Sequence, residues 1–208
     1  MSTSWLTRAL EESRARGFLG PGPIEPHIEH ARGFGEAWSQ HSPVAPTKFL
    51  DLGSGGGLPG YFLLTIWEST AVLLDSMVRR TSFLEEALLW PDAPTTASVV
   101  TARAEDAARS ASLEGAMELV VARSFGPPAV VAECAVRFLS IGGLLIVSEP
   151  PLVDESLVRW PPNGLEQLGL ESAGQFRSAS GYQVLRKVAV TPPQFPRRSG
   201  QPAKRPLF

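Results

Sequence analysis

The sequence predicts an α/β fold in which a mostly parallel sheet is covered by helices on both faces. Between residues 47 and 150, strand-like and helix-like segments alternate five times. The strand-like segments are nearly continuous apolar runs rather than alternations of apolar and polar residues, which is typical of strands buried on both faces. With 43% hydrophobic and 19% charged residues, the chain can bury a substantial core, which excludes global disorder.

The first part of the chain is predicted to be a helical extension. Residues 4–15 have a helical pattern with Ser4 as N-cap, and a Gly- and Pro-rich breaker follows at 17–26. A second helix is predicted over 26–40. We therefore divide the chain into an N-terminal extension (1–46), a main domain (47–191) and a C-terminal tail (192–208).

Seven strands are predicted in the main domain. The first five cover 48–52, 71–75, 97–102, 117–122 and 142–148. The helices between them are predicted at 58–68, 77–90, 105–110 and 127–140. After a Pro-rich connection, two adjacent strands at 170–176 and 182–190 are expected to form a hairpin at the sheet edge.

Cysteine use and hydropathy predict the compartment. Cys134 is the only cysteine, which excludes an internal disulfide framework and a cysteine-cluster zinc site and favours a reducing compartment. No apolar run approaches the roughly 18 residues of a membrane span. The first ten residues also lack the apolar core of a signal peptide. We therefore expect a soluble cytoplasmic protein.

Charge is distributed unevenly along the chain. Residues 186–208 contain six basic residues and no acidic one, whereas the remainder contains 13 basic and 21 acidic residues. A basic tail on an acidic body favours contact with a polyanion, although a solvated tail has the same composition. The tail is therefore a candidate interface for nucleic acid.

The most informative stretch is a glycine-rich turn directly after the first predicted strand. From Asp51 it reads DLGSGGG, which places Gly53, Gly55 and Gly57 in a D-x-G-x-G-x-G pattern. Glycine is needed where the backbone takes a positive φ or approaches a ligand closely. Ligands bind at the carboxyl ends of strands in parallel sheets, where the following helix presents free N–H groups. The turn is therefore the predicted ligand site.

Asp75 ends the second predicted strand and is the natural partner of this turn. A carboxylate at this place can accept hydrogen bonds from both hydroxyls of a ribose. Gly55, Gly57 and Gly60 also fit the G-x-G-x-x-G pattern of dinucleotide sites, which alone is a weak signal. Asp51, just before the turn, would repel a pyrophosphate and attract the amino group of a methionine moiety. S-adenosylmethionine is therefore favoured over a dinucleotide, with a purely structural turn as the other alternative.

Several motifs occur in the order known from one enzyme family. They are LGSGGGLPG at 52–60, LDS at 74–76, RRTSFL at 79–84, ARSF at 122–125 and FPRRSGQPAKRPL at 195–207. In these motifs the chain resembles the guanine-N7 methyltransferases of small-subunit (16S) ribosomal RNA, the glucose-inhibited division protein B family. The resemblance runs from about residue 48 to 148 and resumes in the tail.

The resemblance implies a Rossmann-like class I methyltransferase fold, S-adenosylmethionine as cofactor and 7-methylguanosine in ribosomal RNA as product. Arg123 would lie at the mouth of the site as the catalytic residue, and no metal is expected. With the glycine turn, the resemblance assigns these cofactor-binding residues: Asp51, Gly53, Ser54, Gly55, Gly57, Leu58, Asp75, Ser76, Ala104, Glu105 and Arg123. The residues implied to face RNA are Arg197, Arg198, Lys204 and Arg205.

Two other functions remain open from the sequence. The fifth strand ends in Ser148 and Glu149, where the family usually has Lys-Gly, and the N-terminal part is short and rich in Pro and Gly. These departures are compatible with a methyltransferase of another, small-molecule substrate, or with a catalytically inactive cofactor-binding paralogue. Arg79 and Arg80 are interpreted as exposed helix cations, and Glu105 could equally be a helix N-terminal acid.

The sequence contains no compelling acid–base pair, which is compatible with the expected chemistry. Guanine N7 carries an available lone pair and no proton, so its attack on a methyl group needs no general base. Positioning of the two reactants can supply most of the catalysis.

Overall fold

Seven strands form one sheet in the structure, a computed structural model that describes residues 4–150 and 158–208. The strands are β1 Lys48–Leu52, β2 Thr70–Asp75, β3 Ala97–Thr101, β4 Met117–Ala122, β5 Leu139–Glu149, β6 Leu170–Arg177 and β7 Gly181–Lys187. Their spatial order is β3-β2-β1-β4-β5-β7-β6. Neighbours among β1–β5 are parallel, whereas β7 lies antiparallel between β5 and β6. The predicted mostly parallel sheet and its edge hairpin are therefore confirmed.

Helices cover both faces of this sheet. They are α1 Trp5–Ala15, α2 Glu25–Ser39, α3 Gly60–Ile66, α4 Val78–Leu88, α5 Ala104–Ala107, α6 Pro128–Ala135, α7 Pro162–Glu166 and α8 Gln201–Lys204. The short helices α7 and α8 were not predicted, because each has a proline in its first turn and lies in a segment that the sequence alone suggests is a connection. The helix expected over 127–140 ends earlier, in a 3-10 turn at Val136–Phe138.

The two layers follow from the alternation of side chains along the buried strands. In β2, Leu73 packs with Tyr61 and Phe83 on the face covered by α1–α4, whereas Leu74 faces the core formed with α5 and α6. Both leucines are almost completely buried. No helix within the described residues is long and apolar enough to cross a bilayer.

The N-terminal helices pack directly on the glycine turn. Ser4 caps α1 as predicted, because its hydroxyl accepts a hydrogen bond from Thr7 N at 3.2 Å. A Cβ at Gly56 would collide with Ser13 Oγ and with the Phe18 carbonyl. Only glycine therefore allows α1 and the segment behind it to approach the turn this closely.

Candidate active site

The turn after β1 adopts a conformation that demands glycine. Gly53, Gly55 and Gly57 have φ values of +75°, +53° and +102°. A Cβ at Gly53 would lie 2.6 Å from the Phe125 ring. At Gly55 the nearest atom to such a Cβ would be the Gly53 carbonyl oxygen at 3.7 Å, so this side of the turn is open. The open side leaves room for a ligand against the backbone.

Asp75 ties the turn to the end of β2. Its Oδ2 accepts from Gly55 N at 3.0 Å and from Arg80 Nη1 at 3.3 Å, and its Oδ1 accepts from Met77 N at 2.8 Å. The residue is only 5% exposed. Because each carboxylate oxygen has two lone pairs, Oδ1 keeps one acceptor position for a ligand hydroxyl, whereas both lone pairs of Oδ2 are already used.

A first cavity of about 260 Å³ lies beyond Asp75, between the ends of β1 and β2 and the start of α5. Its polar side is formed by Asp75, Ser76 and Glu105, and its apolar side by Phe125 and Val130. This combination suits a nucleoside, which presents a flat ring and a hydroxylated sugar. The remaining lining residues are Leu52, Gly53, Leu74, Met77, Arg80, Ala102, Arg103, Ala104, Ser124, Cys134 and Ala203.

A second cavity of about 230 Å³ lies on the other side of the turn. It is lined by Phe18, Leu19, Gly20, Gly53, Ser54, Gly55, Gly56, Leu58, Arg80, Arg123 and Ser124. Gly53, Arg80 and Ser124 line both cavities, so a ligand can extend from one into the other. Ser124 has a φ of +53°, an uncommon conformation for a residue with a side chain.

Arg123 directly follows β4, and its side chain contacts His27 of the N-terminal extension. Its Nη2 lies 2.7 Å from His27 Nδ1, which accepts the hydrogen bond when the ring is neutral. Burial and the nearby arginine lower the pKa of His27, which favours this neutral form. Burial also lowers the pKa of Arg123, although the carboxylate of Asp51 opposes that effect. The buried Nη1 of Arg123 has no partner among the described residues, so one donor remains for a ligand.

Asp51 lies beneath the turn and lines neither cavity, which differs from the expected direct contact with the cofactor. It is 1% exposed, and its Oδ2 accepts from Gly60 N at 2.9 Å at the start of α3. Burial raises the pKa of this carboxyl to about 7. Asp51 therefore acts first on the geometry of the turn, and its ionised form adds negative charge below Arg123.

The guanidinium of Arg197 was expected to face RNA, but in the structure it is paired with Glu133. Its Nε and Nη2 donate to Glu133 at 2.9 and 2.6 Å, and its backbone N donates at 2.7 Å to the same carboxylate. Glu133 is completely buried in α6. A buried carboxylate is costly unless it is paired, so this arginine is committed to the interior. Arg198, Lys204 and Arg205 are exposed, as a role on the surface requires.

The departure at the end of β5 does not present a free anion at the site. Glu149 Oε2 accepts from Arg159 Nε at 2.5 Å, and its Oε1 accepts from Trp160 Nε1 at 3.0 Å. Its side chain is 8% exposed. The negative charge is thus compensated within the protein.

Most predicted cofactor residues surround the two cavities, with Asp51 and Gly57 as exceptions. Gly57 faces the Tyr61 ring and leaves no room for a side chain there. The sequence interpretation missed His27, and it took Arg80 for a solvated cation. The place of Arg80 in the first turn of α4, just after Asp75, could have indicated its contact with that carboxylate. Nothing local to His27 shows that α2 reaches Arg123.

Comparisons with known proteins identify the family. A family model described as rRNA small subunit methyltransferase G matches residues 36–149. A protein of Nostoc punctiforme named ribosomal RNA small subunit methyltransferase G is 31% identical over 192 residues, covering 88% of this chain and 78% of the relative. A protein of Pelotomaculum thermopropionicum with the same name is 33% identical, covering 77% and 70%.

Similar solved structures support the fold alone. The antibiotic-resistance methyltransferase Kmr has a TM-score of 0.57 at 14% identity, covering 75% of this chain and 93% of its own. The [4+2]-cyclase SpnF has the same TM-score at 13% identity, covering 77% and 81%. The fold is that of class I methyltransferases, and since it also hosts other reactions, the sequence relatives decide the family. The chain belongs to the rRNA small subunit methyltransferase G family.

Proposed function

We propose that this protein transfers a methyl group from S-adenosylmethionine to N7 of a guanine in small-subunit ribosomal RNA. Membership of the family carries this proposal, and two adjoining cavities at the carboxyl ends of β1, β2 and β4 support it. When bound, S-adenosylmethionine supplies an electrophilic methyl group. The residues of the chain then have to hold this group and the guanine in line.

The nucleoside end of the cofactor fits the first cavity. Asp75 and Ser76 would bind the ribose, and Ala104 and Glu105 would lie beside the adenine. The open backbone of residues 53–56 would hold the methionyl end in the second cavity. There the guanidinium groups of Arg80 and Arg123 offer charge-assisted hydrogen bonds to its carboxylate.

Arg123 is the proposed catalytic residue. His27 fixes its Nη2, while the unpartnered Nη1 can donate to the methionyl carboxylate or to guanine O6, an acceptor next to N7. Such a bond would orient the purine and stabilise the charge that it gains on methylation. No proton has to be removed from N7, so the reaction needs no general base.

The three parts of the chain would have separate tasks. The main domain (47–191) would carry the cofactor, and the N-terminal extension (1–46) would close the second cavity through residues 18–20. In the tail (192–208), the exposed Arg198, Lys204 and Arg205 would contact RNA phosphates. The hypothesis of a small-molecule substrate was based mainly on the anionic Glu149. That support is lost, because Glu149 is paired with Arg159.

A methyl-transfer assay tests the proposal. The full chain would be incubated with labelled S-adenosylmethionine and small ribosomal subunits that lack guanine-N7 methylation, and the RNA would then be digested to nucleosides. We expect the label in 7-methylguanosine, and none with subunits that already carry the methyl group. Label in another nucleoside, or cofactor binding without transfer, would contradict the proposed reaction.

A further inference from the structure

Charged side chains of the main domain hold the C-terminal segment (residues 192–208) against that domain. Arg137, only 8% exposed, donates from Nε to the Phe195 carbonyl at 2.6 Å and from Nη2 to the Pro192 carbonyl at 2.9 Å. Arg109 Nη2 donates to the Pro196 carbonyl at 2.7 Å. These bonds use backbone acceptors of the segment, so they fix its path rather than one side chain.

The ion pair of Glu133 and Arg197 continues this attachment towards the cofactor side. Both oxygens of the buried carboxylate are used, and the backbone N of residue 197 donates as well as its guanidinium. Four hydrogen bonds from Arg197 to the buried carboxylate fix both the backbone and the side chain at this point. Removing Arg197 would leave the buried Glu133 carboxylate without a compensating charge, and removing Glu133 would leave the Arg197 guanidinium without its partner.

Beyond the ion pair, the segment reaches the first cavity itself. Gly200 N donates to Glu105 Oε1 at 2.8 Å, and Gly200 then starts α8 with a φ of +78°. Ala203 of that helix lines the first cavity together with Glu105. Glu105 Oε2 accepts no hydrogen bond from the described residues, so it is available to an N–H donor of a ligand. The segment thus positions one acceptor of the cavity and forms part of its wall.

We propose that residues 197–203 are a wall of the cofactor site, and that Glu133 and Arg197 are positioning residues for the adenosine end of S-adenosylmethionine. This inference rests on the cofactor assignment made above and is independent of the RNA substrate. Part of the tail that was expected to serve RNA therefore serves the cofactor. The neighbours Arg197 and Arg198 have different tasks: the first points into the protein and the second into solvent.

Calorimetric titration of the full chain with S-adenosylmethionine, without RNA, compares Arg197→Ala with Arg198→Ala. We expect Arg197→Ala to weaken cofactor binding about tenfold, as loss of one charge-assisted hydrogen bond would. Arg198→Ala should stay within about twofold, because its side chain is exposed and apart from the cavity. Equal affinities in both variants would overturn the proposal.

A second pair of variants keeps the test valid if Arg197→Ala fails to fold. Ala203→Phe places a bulky ring in the cavity wall from an exposed helix position, and Gln201→Phe adds the same ring to α8 at an exposed position outside the lining. Only Ala203→Phe should weaken cofactor binding, with thermal unfolding unchanged in both. Equal cofactor binding by the two variants would refute the proposal that residues 197–203 form a wall of the cofactor site. Absence of cofactor binding by the wild-type chain would instead refute the proposed function.

Discussion

The two ends of the chain lie outside the segment matched by the family model, and each closes one of the two cavities. The N-terminal end supplies Phe18, Leu19 and Gly20 to the second cavity. The C-terminal end supplies Ala203 to the first. The matched segment alone would therefore leave the first cavity open at Ala203 and the second cavity open at residues 18–20.

The two ends are attached by different physical means. The N-terminal helices are fastened mainly by apolar packing, with Leu10 and Phe34 fully buried and Gly56 in close contact with Ser13. The C-terminal segment is fastened by Arg137 and Glu133, which are buried charges with specific partners. Apolar packing tolerates changes of residue that preserve volume, whereas a buried ion pair does not tolerate the loss of one partner. Changes on the two sides should therefore have separable effects.

The largest effect is expected at the second cavity, from loss of Arg123. Arg123→Ala should lower the turnover number of methyl transfer roughly 10²- to 10³-fold, as removal of a preorganised donor does in other enzymes. Cofactor affinity should fall by a smaller factor, because Asp75 and the first cavity still hold the nucleoside end when Arg123 no longer donates to the methionyl carboxylate. Single-turnover methyl transfer and calorimetric titration measure the two quantities. A change confined to cofactor affinity would place Arg123 on the cofactor side only.

At the first cavity, Asp75→Ala should weaken S-adenosylmethionine binding by about 1–3 kcal/mol, since charge-assisted hydrogen bonding to the ribose is removed. Gly55 N and Met77 N are also deprived of their acceptor, so thermal unfolding must be followed alongside. Asp75→Asn is the matched control, because its amide oxygen can still accept one of those bonds. Unchanged affinity in a folded Asp75→Ala protein would show that the ribose lies elsewhere.

The sequence could predict the features that local patterns encode, but not the contacts that depend on how distant parts of the chain pack. The strands, the glycine turn and Asp75 are encoded locally, by apolar runs, turn residues and the spacing of strand ends, and the structure confirms that they lie together. The place of His27 beside Arg123 depends on how α2 packs, which no local pattern contains. The family resemblance and the basic tail placed Arg197 at the surface facing RNA, because its partner Glu133 is 64 residues away and looks like an ordinary helix acid.

A smaller effect is expected at His27. Because its folded pKa lies below the ordinary value of 6.5, the stability contributed by the neutral ring is complete above that pH and is lost as the pH falls towards the folded value. Protonation would also remove the acceptor for Arg123. Methyl transfer should therefore decline on acidification through this range, provided that the RNA substrate remains intact.

Two substitutions separate the hydrogen bond of His27 from its titration. His27→Gln keeps an acceptor that does not titrate, so the acid decline should flatten with most of the activity retained. His27→Ala should lower turnover about tenfold at neutral pH, the value of one hydrogen bond to a charged group. The check is a pH profile of single-turnover rates. An unchanged acid limb in His27→Gln would assign the decline to another group.

The smallest effect is expected from the exposed cations of the tail. The triple variant Arg198→Ala, Lys204→Ala and Arg205→Ala should bind small subunits a few-fold more weakly. For every phosphate that is no longer neutralised, the salt dependence should flatten by about 0.7–0.9 in the logarithmic slope. Cofactor affinity should not change, since these side chains point into solvent while Arg197 keeps its partner. Binding measured at several salt concentrations tests this directly. If the slope stays the same while binding weakens, the tail contributes through its fold rather than through its charge.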